Sequence, residues 1–204
     1  MILDWQKTEE LLKKYNIPAV ESRVIESIKQ GIEFTQKFGW PVVVKVLSKT
    51  ILHKTDEGLV RTNIQDEAGL ERAFFDLFQK EGEVLIQRQL SGIEIFCGVK
   101  RDASFGPVVA FGLGGVFVEV LEDVVFGLAP LNQQEAENMV KSIKGYKLLQ
   151  GYRGQKEADI VKIAELLVNV CQMAMENKDI KEIDFNPVFA ASDFVAVADA
   201  KILI

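Results

Sequence analysis

Apolar positions in this chain recur with two periods, and the alternation between them lays out its elements. Leu3, Leu11, Leu12 and Tyr15 fall at helical spacing and are stopped by Asn16, Ile17 and Pro18, which predicts an opening helix. Residues 19–25 read as a strand, and residues 27–38 as a second helix with Ile28, Ile32 and Phe38 inward and Gly39 as its stop. The run PVVVKVL at 41–47 is β-branched and nearly continuous in its apolarity, the pattern of a strand covered on both sides. A strand at 59–64, a helix at 66–80 and a strand at 83–89 follow. From Gly92 the texture changes: strand-like runs at 93–99, 107–112, 116–121 and 124–129 crowd together between glycine-rich turns. Helices at 133–143 and 158–175 come next, and two strands, 183–189 and 194–202, close the chain around a turn at Ala191, Ser192 and Asp193. The pattern is that of an α/β (α+β) protein in two lobes, residues 1–90 and 91–204, with no tandem repeat and no flexible linker.

Composition narrows the class. Of 204 residues 48% are hydrophobic and 26% charged, as in ordinary globular proteins. The net charge of −6, with no basic stripe, argues against nucleic acid, although a local cationic pocket for a small polyphosphate is still open. No apolar run is long enough to span a bilayer, and MILDWQKTEE lacks the basic end and apolar stretch of a signal peptide. No membrane role is expected, and the expected compartment is the cytoplasm. Cys97 and Cys171, in apolar surroundings far apart in sequence, read as buried reduced thiols, with a disulfide as the other reading.

Four features can carry chemistry. Lys45 interrupts an apolar strand, where an ammonium is costly unless paired. It either snorkels or pairs with a carboxylate, or it is a fixed cation aimed at phosphate oxygens. GLGG at 112–115 is either a tight turn between strands or a place where backbone amides approach phosphate; neither GxGxxG leading into a helix nor GxxxxGK[ST] is present. Glu182, Asp184 and Asn186 alternate along one strand and so share a face, with Asp199 on the partner strand. They form a solvated polar face or, through Asn and Asp oxygens, a set of hard ligands for magnesium. The single histidine, His53, sits in the polar stretch ILHKTDEG. Without a second histidine, clustered cysteines or GxSxG, it belongs to neither a histidine-rich metal site nor that hydrolase motif. It is a surface or structural residue, or a nucleophile toward phosphorus.

Taken together, PVVVK at 41–45, ILHKTDEG at 51–58, GVKRDASFGPVVAFGLGGVFVEVLEDV at 98–124, KGYKLLQGYRG at 144–154, EIDFNP at 182–187 and VADAKI at 197–202 resemble the ATP-grasp β subunit of ADP-forming acetyl-CoA synthetases, nearly end to end. The resemblance implies an ATP-grasp fold that binds nucleotide between two lobes, with Mg²⁺ and ATP or ADP at the site. It implies a CoA-binding α subunit as partner, in an α2β2 heterotetramer, and a phosphate relay from an α histidine to His53 and on to ADP. By the same resemblance Lys45 holds nucleotide phosphates, Glu94 lies near the ribose, and Gly114 and Gly115 belong to the nucleotide site. Asn186 and Asp199 are the implied metal ligands, and Asp184 the implied carboxylate that orients the phosphohistidine.

Two positions depart from the family pattern. Leu59 stands where a second glycine usually follows HKTD-x, and Gly127 stands where Phe-Arg is usual at 126–127. Leu59 is expected to stiffen the loop or narrow its approach to phosphate, and Gly127 to remove a cation that contacts phosphate or the partner. They are the only support for another class of function, a non-catalytic nucleotide-sensing module related to those fused to protein acetyltransferases. A carboxylate–amine ligase of ATP-grasp type is the third reading. It would need an acceptor domain that about 200 residues do not accommodate.

Overall fold

The computed structural model describes residues 1–47, 58–80, 82–115, 123–152 and 156–204. The described chain divides into two compact units, Val20–Leu90 and a larger one made of Met1–Ala19 and Ser91–Ile204. All strand pairings between named strands are antiparallel.

Helix α1 (Trp5–Lys14) opens the chain, its start capped by the Asp4 carboxylate on the Lys7 amide and its last turn carrying Lys13 and Lys14, which suit the negative end of the helix dipole. The sequence pattern groups this helix with residues 20–90, but the structure ties it to the larger unit. The Leu3 amide donates to the Ile202 carbonyl at 2.9 Å, and the Val197 amide donates to the Pro18 carbonyl at 2.8 Å. Helical periodicity reveals which face is apolar but not which distant strand supplies the backbone partners.

The smaller unit holds β1 (Ser22–Ile25), α2 (Ile28–Phe38), β2 (Val42–Leu47), β3 (Val60–Ile64), α3 (Glu67–Phe78) and β4 (Glu83–Arg88), with strand order β1-β4-β2-β3. Ser27 and Asp66 cap the two helices. Phe34, Leu70, Phe74 and Leu77 from these helices form one core with Val42, Val44, Val46 and Ile86 of the sheet. Residue 45 therefore lies on the face opposite that core.

The larger unit continues with β5 (Ile93–Asp102), β6 (Gly106–Leu113), β7 (Val124–Leu128), α4 (Gln133–Lys141), α5 (Tyr146–Leu149), α6 (Ile160–Glu176), β8 (Glu182–Ala190), β9 (Val195–Val197) and β10 (Ala200–Leu203). Its sheet runs β10-β8-β5-β6-β7, with β9 added beside β8. Ile95, Cys97, Val99, Val109, Phe111, Ile183 and Phe185 point into a core shared with Val140, Ile163, Leu167 and Val170 of α4 and α6. Alternation then leaves the other side chains of β5, β6 and β8 on the opposite face of the sheet.

The run expected as one strand over 194–202 is split into β9 and β10. Pro187, opposite it, has no N–H, and Ala198 and Asp199 both turn their amides to the Pro187 carbonyl, at 3.0 and 3.4 Å. The expected strand at 116–121 lies outside the described residues.

Candidate active site

Lys45 sits on β2, a strand paired on both sides, across from Val60 and Leu85. It is 4% exposed, so its position is set by the sheet and not by solvent. His53 lies outside the described residues. The segment that carries it ends at Gly58, whose φ of +63° places it in the left-handed region that favours glycine. Leu59, one of the two family departures, does not line an open loop. It is buried in the core of the smaller unit, and its carbonyl accepts from the Val46 amide at 3.0 Å.

The face of the larger sheet opposite that core is built in rows across the strands. One row reads Lys201, Asp184, Gly98, Ala110, Phe126 from β10 to β7. The next reads Leu203, Glu182, Lys100, Val108, Leu128. Acid and base thus stand on neighbouring strands in both rows, and in the first row they stand beside Gly98 and Ala110, which have little or no side chain. Phe126 is 71% exposed. A groove of about 430 Å³ lies here, floored by Gly98 and Ala110 and bordered by Asp184, Lys100, Phe96 and Phe126. Half-burial pushes the Asp184 carboxyl above its ordinary pKa; Lys201 opposes that shift, and Asp199 and Glu182 add to it.

Asn186 follows on the same face. Between Ile95↔Val188 and Cys97↔Phe185 the register of β8 against β5 shifts, so β8 carries one extra residue there. The bulge exposes Asn186 and returns Val188 and Ala190 to the core. The Asn186 amide donates to the Asp199 carbonyl at 3.1 Å, which fixes these two residues against each other. Among the described residues no three His, Cys, Asp or Glu side chains converge on a metal-sized point. Asn186 and Asp199 instead offer two hard oxygen donors, a set that fits magnesium completed by water and phosphate.

Glu94 is close to the glycines of GLGG. The Gly114 amide donates to the Glu94 carbonyl at 2.7 Å, and a Cβ at Gly115 would stand 2.9 Å from Glu94 Oε2. The structure therefore brings Glu94, Gly114 and Gly115 together, and Asp184, Asn186 and Asp199 together.

Two residues escaped the sequence reasoning. Lys201 is in register with Asp184, a relation visible only once β8 and β10 are paired. Asp123 is buried, and its carboxylate accepts from the amides of Lys144 at 2.8 Å and Gly145 at 2.6 Å. It pins the start of the KGYKLL segment to the entry of β7, yet in sequence it looks no different from its acidic neighbour Glu122. Gly127 needs a correction of a different kind. Its missing side chain would point at Met139 Sδ (3.1 Å) and Val109 Cγ1 (3.3 Å), into the helix side and away from the face that carries Asp184.

The family model described as ATP-grasp domain matches residues 1–204. The β subunit of ADP-forming acetate–CoA ligase I from Pyrococcus furiosus is 39% identical over 208 residues, covering 97% of this chain and 90% of that protein. ADP-forming acetate–CoA ligase II from Archaeoglobus fulgidus is 42% identical over 207 residues, and there this chain spans 30% of a longer protein. Among solved structures, dinucleotide-forming acetyl-coenzyme A synthetase 1 of Ca. Korarchaeum cryptofilum with coenzyme A, Ca-AMPCP and HgCl⁺ superposes with a TM-score of 0.92 at 37% identity, covering 100% of this chain and 93% of that one. A second structure of that enzyme holds coenzyme A and Mg-AMPPCP with its phosphohistidine segment pointing towards the nucleotide binding site; its TM-score is 0.86 at 37% identity, covering 100% of this chain and 92% of that one.

Proposed function

Because this chain belongs to the ATP-grasp family of ADP-forming acetate–CoA ligase β subunits, we propose that it is the nucleotide-binding, phosphoryl-transferring subunit of an ADP-forming acyl-CoA synthetase. The observation that carries this is on that face of the larger sheet, where Lys201 of β10 stands in register with Asp184 of β8 and the Asn186 amide meets the Asp199 carbonyl. That arrangement is supported by a likeness to such subunits over nearly their whole length.

Each residue has a distinct task. Lys45 neutralises nucleotide phosphate charge from a rigid strand, so little reorganisation is needed when charge shifts during transfer. Glu94 accepts from the ribose hydroxyls, and Gly114 and Gly115 let backbone amides approach the phosphates. Asn186 and Asp199 would hold Mg²⁺, which would supply neutralisation of the phosphate charge. Asp184 accepts from one nitrogen of the reacting imidazole and leaves the other free.

In the direction of ATP synthesis, a CoA-binding α partner presents a phosphohistidine. Its P–N bond breaks as a nitrogen of His53 bonds to phosphorus, and the proton of the accepting ring passes to the donor ring. The second P–N bond then breaks as a terminal oxygen of ADP takes the phosphoryl group, and the His53 ring regains a proton. The complex is assembled as α2β2. The departures at Leu59 and Gly127 do not favour a nucleotide-sensing module, because one side chain packs in a core and the other position faces α4.

Incubation with Mg²⁺ and γ-labelled ATP is expected to label the wild-type chain and leave His53→Ala unlabelled. With the α partner present, His53→Ala is expected to make no acyl-CoA. Full synthesis by that variant would overturn the relay.

A further inference from the structure

We propose that the groove beside Asp184 is the docking site for an apolar stretch of the CoA-binding α chain. The inference rests on the reading above that this chain works with such a partner. It adds the surface on which they meet and the chemistry that this surface selects.

The groove lies wholly within the larger unit. Along β7, Val125 packs on the core and Gly127 faces Met139, so alternation turns Phe126 and Leu128 the other way. These two side chains are 71% and 53% exposed. Their cross-strand neighbours are Ala110 and Val108, and Gly98 and Lys100 follow on β5. Phe126 and Phe96 thus border a floor made of Gly98 and Ala110, with Val108 beside it. Large apolar side chains left in water side by side mark a surface that another molecule covers.

The charged residues around the groove come as opposed neighbours. Lys100 stands across from Glu182, and Lys201 across from Asp184. The remaining carboxylate, Asp102, accepts from the Ser104 and Phe105 amides at 2.7 and 2.9 Å. What the groove offers a ligand is therefore aromatic and aliphatic surface within a polar rim, the make-up of a protein interface and not of an anion site. Its position selects among protein occupants. Asp184 borders the groove, so a second copy of this chain seated there would cover that carboxylate and shut out the phosphoryl donor. The α chain, by contrast, has to reach Asp184 in every turnover. An apolar stretch of it anchored on Phe126 brings the donor alongside.

The test measures binding of the full chain to the α chain with which it makes acyl-CoA, by calorimetry. The double variant Phe126→Asp, Leu128→Lys is expected to bind at least about 100-fold more weakly, because aromatic anchors carry most of the energy of an interface. Ala110→Leu, which fills the floor without adding charge, is expected to weaken binding about 10-fold. Mg-ADP affinity and melting temperature are expected to stay at the wild-type values. Phe75→Asp, at a position 53% exposed on α3 of the smaller unit, is expected to leave α binding unchanged. Wild-type α binding by the double variant would overturn the proposal, as would an equal loss in Phe75→Asp or a parallel loss of nucleotide affinity. A dimer of the isolated chain that the double variant dissociates would assign the groove to a second copy and overturn it too. If the wild-type chain itself binds no α chain, the subunit reading fails; if the wild type and the double variant bind alike, only the groove assignment falls.

Discussion

Replacing Asp123 by alanine isolates the joint between the entry of β7 and the KGYKLL segment. The carboxylate is 5% exposed and accepts two backbone N–H groups, at 2.8 and 2.6 Å, from Lys144 and Gly145. Hydrogen bonds to a charged acceptor contribute roughly 1.5–3 kcal/mol each, and a buried donor left unpaired costs about 1–3 kcal/mol. Two such bonds put the loss at roughly 3–5 kcal/mol for Asp123→Ala. In a chain of 204 residues that corresponds to a drop in melting temperature of about 2–4 °C per kcal/mol, or some 10 °C overall. Asp123→Asn keeps one carbonyl oxygen but sets an NH₂ against the other amide, so it should fall about midway. Gly145→Ala probes the same joint from the other side, because its Cβ would stand 2.3 Å from Leu113 Cδ1 in a buried position. Calorimetric melting with circular dichroism as a second probe is the assay. An Asp123→Ala protein that melts within a degree or two of the wild type would refute the reasoning.

Two further outcomes follow from burial. Cys97 and Cys171 are both buried and free, and burial pushes the Cys171 thiol up to about 11 and that of Cys97 higher still. Raised values mean almost no thiolate at pH 8, so a thiol reagent should release no signal from the folded chain and two equivalents after denaturation in guanidinium; rapid labelling of the native chain would contradict this. Gly127→Arg, which restores the residue usual in the family, should leave Mg-ADP affinity unchanged, since the side chain leaves the backbone toward Met139. A marked gain in affinity by calorimetry would show that it reaches the nucleotide.

The division of the chain into helices and strands was legible in the spacing of apolar residues, and so was the shared face of Glu182, Asp184 and Asn186, because a period of two fixes faces without any knowledge of partners. Cross-strand relations were not. Lys201 opposite Asp184 and the bulge at Asn186 both depend on register, which comes from pairing residues far apart in sequence. The same limit hid the link of Met1–Ala19 to the C-terminal strands. Leu59 and Gly127 looked like functional departures because sequence shows what a residue is but not where its Cβ points. Asp123 was passed over because it stands beside Glu122 between two apolar runs, where an acidic pair reads as an ordinary turn.

The smaller unit leaves and rejoins the rest of the chain through β1 and β4, which pair from Ser22↔Gln87 to Ile25↔Val84. Its entrance and exit are therefore about one strand spacing, roughly 4.8 Å, apart. Among the described residues, none of the larger sheet's strands comes from within it. Residues 20–90 thus behave as a cassette within the gene: they can be lengthened, shortened or exchanged without re-registering the strands that carry Asp184 and Asn186. Heredity can vary the segment bearing His53 and the acidic face on separate pieces of chain, and a short glycine linker in place of the cassette should leave the larger unit able to fold.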